Sequence, residues 1–446
     1  MGFYKISVAA LTHCCASVFT LHFTIKERHW RFFYRVTCIY DTYRDIEPSM
    51  KIICKIVVIA TLAISALQSV SAQVSETGQT GKNYISTGMP ILLIAPDARA
   101  GALGDVGAAT TPDAYSAHWN VAKFAFIENS FGVSTTYTPW LRNLGVGDMN
   151  LLYLGGYGRI NQNSAVALSL TYFSLGDIES TDEFGDPQGN MHPNEFAVDA
   201  SYALKIGEYI SIGASGRLNH SDLTNGQNVG TASTKAANSL AADFGFYYQQ
   251  PLENNRQIAA GVMISNLGAK LSYSDDDTKK EFLPANLRLG GRFTKDIDSY
   301  NQINAMLDIN KLLVATPPVQ EANETNAEYQ SRYNDYYNLG SVQGALQSLY
   351  DAPGGFSEKL QELQLSAGVE YWYNHTFAAR LGYFFEHSNK GGRQYLTVGG
   401  GIRYNVFVFD LSYLVPTTKF STNPLSNTIR ISLSVDLAKS TSSSAD

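Results

Sequence analysis

From residue 130 to the C-terminus, apolar and polar positions alternate with a period of two, and no uninterrupted apolar run is long enough for a membrane helix. In 196–205, Phe196, Val198, Ala200, Tyr202 and Leu204 alternate with Ala197, Asp199, Ser201, Ala203 and Lys205. The split recurs in 363–373, where the polar or small set is Gln364, Ser366, Gly368, Glu370 and, less cleanly, Trp372. It recurs again where Ile429, Ile431, Leu433, Val435 and Leu437 alternate with Arg430, Ser432, Ser434 and Asp436. Successive strand side chains point to opposite faces, so each segment has one oily face and one polar or small face. A soluble sandwich also alternates, but its polar faces look outward and are rich in Lys and Glu. Here they hold Gly, Ser, Ala, Asn and isolated charges.

The pattern predicts strands near 130–140, 148–160, 164–176, 194–206, 208–220, 238–250, 256–274, 284–295, 301–312, 361–373, 376–388, 393–404, 407–416 and 426–437. Connections after even-numbered strands are tight, as at Asn374-His375 and Asn405-Val406, while 177–193, 221–237 and 313–360 are long. Short turns at one end and long loops at the other are the asymmetry of an outer-membrane barrel with both termini inside. The fold expected is therefore all-β, a transmembrane antiparallel barrel of about 14 strands. The 313–360 loop, with Glu321, Glu324, Glu328 and a run of Tyr329, Tyr333, Tyr336 and Tyr337, is too long for an idle connection and is expected to carry short helices.

Val166, Leu168, Leu170, Phe244, Phe246, Phe377, Phe407 and Phe409 are expected in the lipid-facing band, and Tyr137, Trp140, Tyr172, Trp372 and Tyr413 in the interfacial girdle. Residues 50–72 read as a signal peptide: Lys51 and Lys55, a mostly apolar run from Ile56 to Leu67, then Val70-Ser71-Ala72. Residues 1–49 then precede the true start, and Cys14, Cys15, Cys38 and Cys54 all fall outside the mature chain. That removes disulfides, thiolate metal sites and a cysteine nucleophile from consideration. The whole chain holds 33 basic and 40 acidic residues, and cleavage after Ala72 makes it more acidic, a poor match for nucleic acid.

Residues 73–129 have a different character. Small residues crowd around Asp97, Arg99, Gly101, Gly104, Asp105 and Gly107, and Pro112-Asp113 opens a short helix leading to Trp119 and Asn120. Such a segment is able to pack closely as a plug inside the barrel of 130–437. Lumen-facing charges are expected at Asp199, Lys205, Arg217, Arg288, Arg292, Glu370, Arg380, Glu386, Arg403, Arg430 and Asp436. Opposite signs there hold a plug by pairing, with Asp97, Arg99 or Asp105 meeting some of them; a selective solute path is the alternative.

The 97–126 stretch resembles the D-A-R-A-G-x-x-G-D-A-G-x-A…A-x-x-W-N-P-A segment of the PorV/PorQ family, outer-membrane components of the type IX secretion system. That segment is itself similar to the hatch of fatty-acid transport (FadL-like) barrels. Val121 stands where the family has Pro, and a Ser-rich tail, 438–446, follows the last strand. The resemblance implies a non-enzymatic barrel embedded in outer-membrane lipid and lipopolysaccharide. It implies that cargo proteins with C-terminal sorting domains are received from a large translocon barrel and carried to surface attachment-complex proteins. A hatch-gated transporter of hydrophobic small molecules is the runner-up, and a lipopolysaccharide O-deacylase the third reading.

For an enzyme the best candidate is Asn219-His220-Ser221-Asp222, but adjacent strand residues face opposite ways, so a dyad needs a break in the strand. The Gly213–Gly216 stretch is not a complete nucleophile elbow, because Arg217 replaces the second Gly. Asp177, Glu179, Asp182, Glu183 and Asp186 make an acidic loop, solvated or a calcium site. No catalytic residue, cofactor or metal is assigned.

Overall fold

The computed structural model describes residues 84–142, 148–181, 187–226, 234–274, 280–321, 324–417, 425 and 427–437, together with three short strands before residue 34. The signal peptide at 50–72 and the tail at 438–446 lie outside the described residues. The chain divides into two units, 1–79 and 80–446. In the first, Ser7–Ala10, Phe19–Lys26 and His29–Phe33 form a three-stranded antiparallel sheet.

In the second unit, fourteen strands close into one barrel. They are β1 (Phe131–Pro139), β2 (Asn150–Arg159), β3 (Ser164–Ser174), β4 (Asn194–Lys205), β5 (Ile210–Asp222), β6 (Ala237–Leu252), β7 (Arg256–Gly268), β8 (Asn286–Asp296), β9 (Asn301–Leu312), β10 (Leu363–Tyr373), β11 (Phe377–Phe385), β12 (Gln394–Tyr404), β13 (Phe407–Pro416) and β14 (Ile429–Leu437). Each pairs antiparallel with its sequence neighbours, and β14 closes on β1 with Leu433 opposite Thr135. Full closure leaves no unpaired edge, which a backbone surrounded by hydrocarbon cannot tolerate.

The tight turns have the geometry of hairpins: Asn254, Asn255, Asn374, His375 and Asn405 all take positive φ. Asn and His tolerate that region, and its twist matches the flanking strands. At the other end, several described residues of the connections form secondary structure. Ile178–Thr181 pairs with Pro187–Met191. The β9–β10 connection carries helices; with Ala98–Gly101 as α1 and Ser116–Trp119 as α2, these are α3 (Asn326–Asn338), α4 (Ser341–Gln347) and α5 (Gly355–Gln361). Thr325 and Glu328 start α3 with a reciprocal capping box.

The outer wall is an apolar band. Leu168, Leu240 and Leu307 each expose more than half their surface, and Phe244, Phe377, Phe407 and Phe409 are exposed beside them. A continuous apolar surface of this kind is not stable against water, and it faces lipid. Among the described residues no helix is long and apolar enough to cross a membrane; the strands do so.

Three expectations change. β7 ends at Gly268 rather than 274, because Leu271–Ser272 leaves the wall to pair with Lys280–Glu281; just before that end, Ser265 and Asn266 together oppose Asp243 in a bulge. There Asn266 has φ +61°, and its N–H donates to Asp243 Oδ1 at 2.7 Å. Trp372 is not a girdle residue: it is buried on the lumen side, with the guanidiniums of Arg403 and Arg380 at 5.0 and 5.5 Å from its ring. Trp140 packs against the Met89–Ile91–Leu151 cluster at the long-loop end rather than standing in the lipid girdle.

Leu411 sits mid-strand on the lipid face of β13, opposite Gly400 and Ile431. Leu411→Arg is predicted to lower the stability of the folded barrel by about 2–4 kcal/mol. A urea titration in lipid vesicles, read by the mobility of unheated samples on gels, measures this.

Candidate functional site: the charged lumen

A fourteen-stranded wall encloses more space than its own side chains fill. The space is occupied by residues 84–127. The backbone N–H of Ala98 donates to Ser432 on β14, that of Gly104 to Thr397 on β12, and those of Gly107 and Ala108 to Asp308 on β9. Arg292 on β8 donates to the Ala109 carbonyl, Asn120 to the Phe246 carbonyl on β6, and Ser211 on β5 to the Ala122 carbonyl. One segment touches strands all round a closed ring only from inside it.

The segment is small where it must be. A Cβ on Gly107 would lie 2.1 Å from the Trp119 ring, and one on Gly382 of the wall would lie 2.0 Å from the Gly104 nitrogen. Gly104 also has φ +69°, and a Cβ there would lie 2.6 Å from the Tyr383 backbone. Asp97 caps α1, accepting from Ala100 N at 2.8 Å, and takes the Trp119 indole N–H at 2.6 Å. Asn120 is fully buried and bridges the Ala108 carbonyl to the wall.

Charges lock this segment in place. Arg99 meets Glu370 through two hydrogen bonds, Nε to Oε2 at 3.0 Å and Nη2 to Oε1 at 2.9 Å, and reaches Asp113 at 2.9 Å. Arg380 also contacts Glu370, at 2.7 Å, and Asp410 at 2.6 Å. Across the lumen, Arg217 bridges Asp199 and Asp243, at 2.5 and 3.0 Å, and bonds Asn266. Arg288 donates to the Asp105 carbonyl at 2.9 Å, lies 3.5 Å from Asp308, and stacks 4.6 Å from the Trp119 ring centre. Asp105 accepts from the Tyr395 hydroxyl.

Of the remaining expected lumen charges, Lys205 lies over the Phe126 ring at 4.4 Å, Arg430 is buried against Gly101, and Asp436 accepts from Tyr157. Glu386 pairs with Arg393 near the long-loop end. Arg403 lines a luminal cavity of about 520 Å³ with Arg99, Asp113, Glu370 and Asp436. The short-turn residues His375 and Asn405 border it, so it opens at the short-turn end. Sequence reasoning missed Asp243, Asp308 and Asp410, although each sits between apolar outward neighbours and the alternation alone assigns them inward.

His220 stacks on Phe196 outside the wall, whereas Ser221 is buried inside and donates to Glu195 at 2.7 Å. β5 runs unbroken through both, so they form no dyad. Ser215 is bound to Asp243. Asp177 pairs with His192 at 2.6 Å, while Asp182, Glu183 and Asp186 lie outside the described residues. Among the described residues no cluster of three or more His, Cys, Asp or Glu is placed to hold a metal.

The lipid-facing wall and its charge-lined interior define an integral outer-membrane barrel with an occupied lumen. Residues 77–319, more than half of the chain, match the family described as Type IX secretion system protein PorV, and the chain belongs to that family. A comparison with curated proteins gives no match. Among solved structures, the chain is similar to the Pseudomonas putida toluene transporter TodX, at 11% identity and a TM-score of 0.44, over 79% of this chain and 99% of that one. It is similar also to the CymD monoaromatic hydrocarbon channel, at 13% identity and 0.45, over 78% and 99%. A third is a Pseudomonas aeruginosa FadL homologue, at 10% and 0.40, over 77% and 99%.

Glu370→Gln leaves two buried guanidiniums short of their shared carboxylate and is predicted to cost about 3–5 kcal/mol in the same urea titration. Burial, and then Asp113, pushes the Asp97 carboxyl up to about 6 against the pull of its two hydrogen bonds. Its folded pKa stands above the unfolded value, so the ionised form opposes folding above pH 6 and that cost fades as pH falls below it. The stability of the native protein relative to Asp97→Asn is therefore predicted to rise between about pH 7 and about pH 5.

Proposed function

We propose that this barrel serves type IX secretion as a carrier without chemistry. It receives cargo bearing a C-terminal sorting domain at a large translocon barrel and delivers it to surface attachment-complex proteins. The observation that carries the reading is the filled lumen: the segment 84–127 is hydrogen-bonded to strands all round the ring, so the working surface is outside the barrel. Asp97, Arg99, Gly101, Gly104, Asp105, Gly107, Trp119 and Asn120 serve to hold that segment fixed. The long-loop end, taken as the cell-surface side, offers the β9–β10 excursion, where Tyr329, Tyr333, Tyr336 and Tyr337 form a chain of edge and tilted ring contacts along α3. Rigid aromatic side chains are effective anchors for a folded partner. A gated transporter of hydrophobic molecules calls for an apolar pocket, whereas the large luminal cavity is lined by charges.

The test is affinity purification of the protein in mild detergent with a C-terminal tag, followed by mass spectrometry. Proteins sharing a C-terminal β-domain, or a very large barrel, are expected with it, and deleting α3 is expected to remove the cargo while leaving a folded barrel. A barrel recovered alone with bound lipid or fatty acid contradicts the reading.

A further inference from the structure

We propose that helix α4 is a membrane-interface anchor, inserted among the acyl chains of the lipid leaflet at the long-loop end. The helix sits at the rim of the barrel. Ala345 packs against Ile264, Leu267 and Leu287, with Ala285 and Leu313 beside them. Ile264 and Leu287 are cross-strand partners, two register positions above Val262 and Leu289, on the outward face of β7 and β8. That face is the lipid-facing wall, so α4 is seated on the outside of the barrel, continuous with the apolar band.

Its height on the wall is fixed by Lys311. This residue lies directly across from Leu287 in the β8–β9 register and pairs with Glu362 at 2.5 Å. Glu362 also meets Lys359 and Lys390. A layer of paired charges thus stands level with the helix, while Ile309 and Leu307 continue the apolar face of β9 below. This is the boundary between headgroups and hydrocarbon, where short amphipathic helices settle with one face in the acyl region.

The sequence of the helix fits that depth. Residues 339–350 contain no Asp, Glu, Lys or Arg, although Asp335 and Asp351 flank them. Val342 and Leu346, one helical turn apart, are 60% and 61% exposed, and Leu349 and Tyr350, which follow the helix, are 52% and 77% exposed. A Cβ built on Gly344 would lie 2.8 Å from the Phe282 ring, so this side of the helix is closely apposed to the β7–β8 connection. Leaving four large apolar side chains in water on an uncharged stretch is unfavourable by about 25 cal/mol per Å² of uncovered apolar surface, and tyrosine is at home at the membrane interface.

The test uses the barrel expressed from residue 73, which contains no cysteine, reconstituted in nanodiscs of dioleoyl phosphatidylcholine. Single variants Leu346→Cys and Leu349→Cys carry a nitrobenzoxadiazole probe. Leu307→Cys on the wall and Glu328→Cys on α3 serve as lipid and water references. Folding of each variant is checked by its heat-modifiable mobility. Iodide quenching at Leu346→Cys on α4 and at Leu349→Cys just after it is expected to be at least about threefold weaker than at Glu328→Cys, with quenching by nitroxide-labelled lipid approaching that at Leu307→Cys. Iodide quenching equal to that at Glu328→Cys overturns the proposal. So does shielding from both quenchers, which means that protein covers the helix.

Discussion

Glu370 is held between two guanidiniums, one from the wall and one from the luminal segment, and the rest of the interior is arranged around that contact. A buried carboxylate facing one cation is satisfied; facing two, it ties together the elements that supply them. Arg380 extends the chain to Asp410 two strands further round the ring, and Arg99 extends it to Asp113 within the segment. Loss of the luminal segment would strand Glu370, Asp308 and Ser432 together, each facing the interior without its partner from that segment. The barrel and its filling are therefore one structure.

That unity bears on how the protein works. The luminal segment meets the wall chiefly through backbone N–H and C=O groups and through glycines that admit no Cβ, contacts that permit little sliding. Space remains at the short-turn end, where the lining includes Arg, Asp and Glu. On the carrier reading proposed above, binding of large partners belongs to the loops and the outer wall, where the β9–β10 excursion carries both an aromatic helix and an uncharged one packed on the wall.

Much of the wall was legible in the sequence because lipid on one side and a polar interior on the other impose strict alternation, and all fourteen predicted strands overlap observed ones. Tight turns were legible through Asn374-His375 and Asn405, whose side chains accept positive φ. Trp372 was misplaced because the alternation was judged by polarity: an indole looks like a girdle residue, and only the structure shows two arginines beside its ring. The end of β7 depends on Leu271–Ser272 leaving the wall to pair with Lys280–Glu281, just past a bulge, local features that hydrophobic periodicity does not record. The interior charges were partly legible, since parity marks which side chains face inward but not which strand lies opposite. The pairing of Arg99 with Glu370, 271 positions apart, is set by where the segment lies in the lumen.

The central claim is that the luminal segment acts as a fixed part of the barrel and not as a gate. A Cβ built on Gly101 lies 3.1 Å from Ser412 Oγ, so cysteines at these two positions are within reach of a disulfide once the tip of Arg430 gives way. The measurement is secretion of sorting-domain cargo by cells carrying Gly101→Cys with Ser412→Cys, under oxidising and reducing conditions. The account predicts equal secretion with the lock closed and open. Secretion lost on oxidation and restored by reduction would mean that the segment moves during the working cycle, and would contradict it.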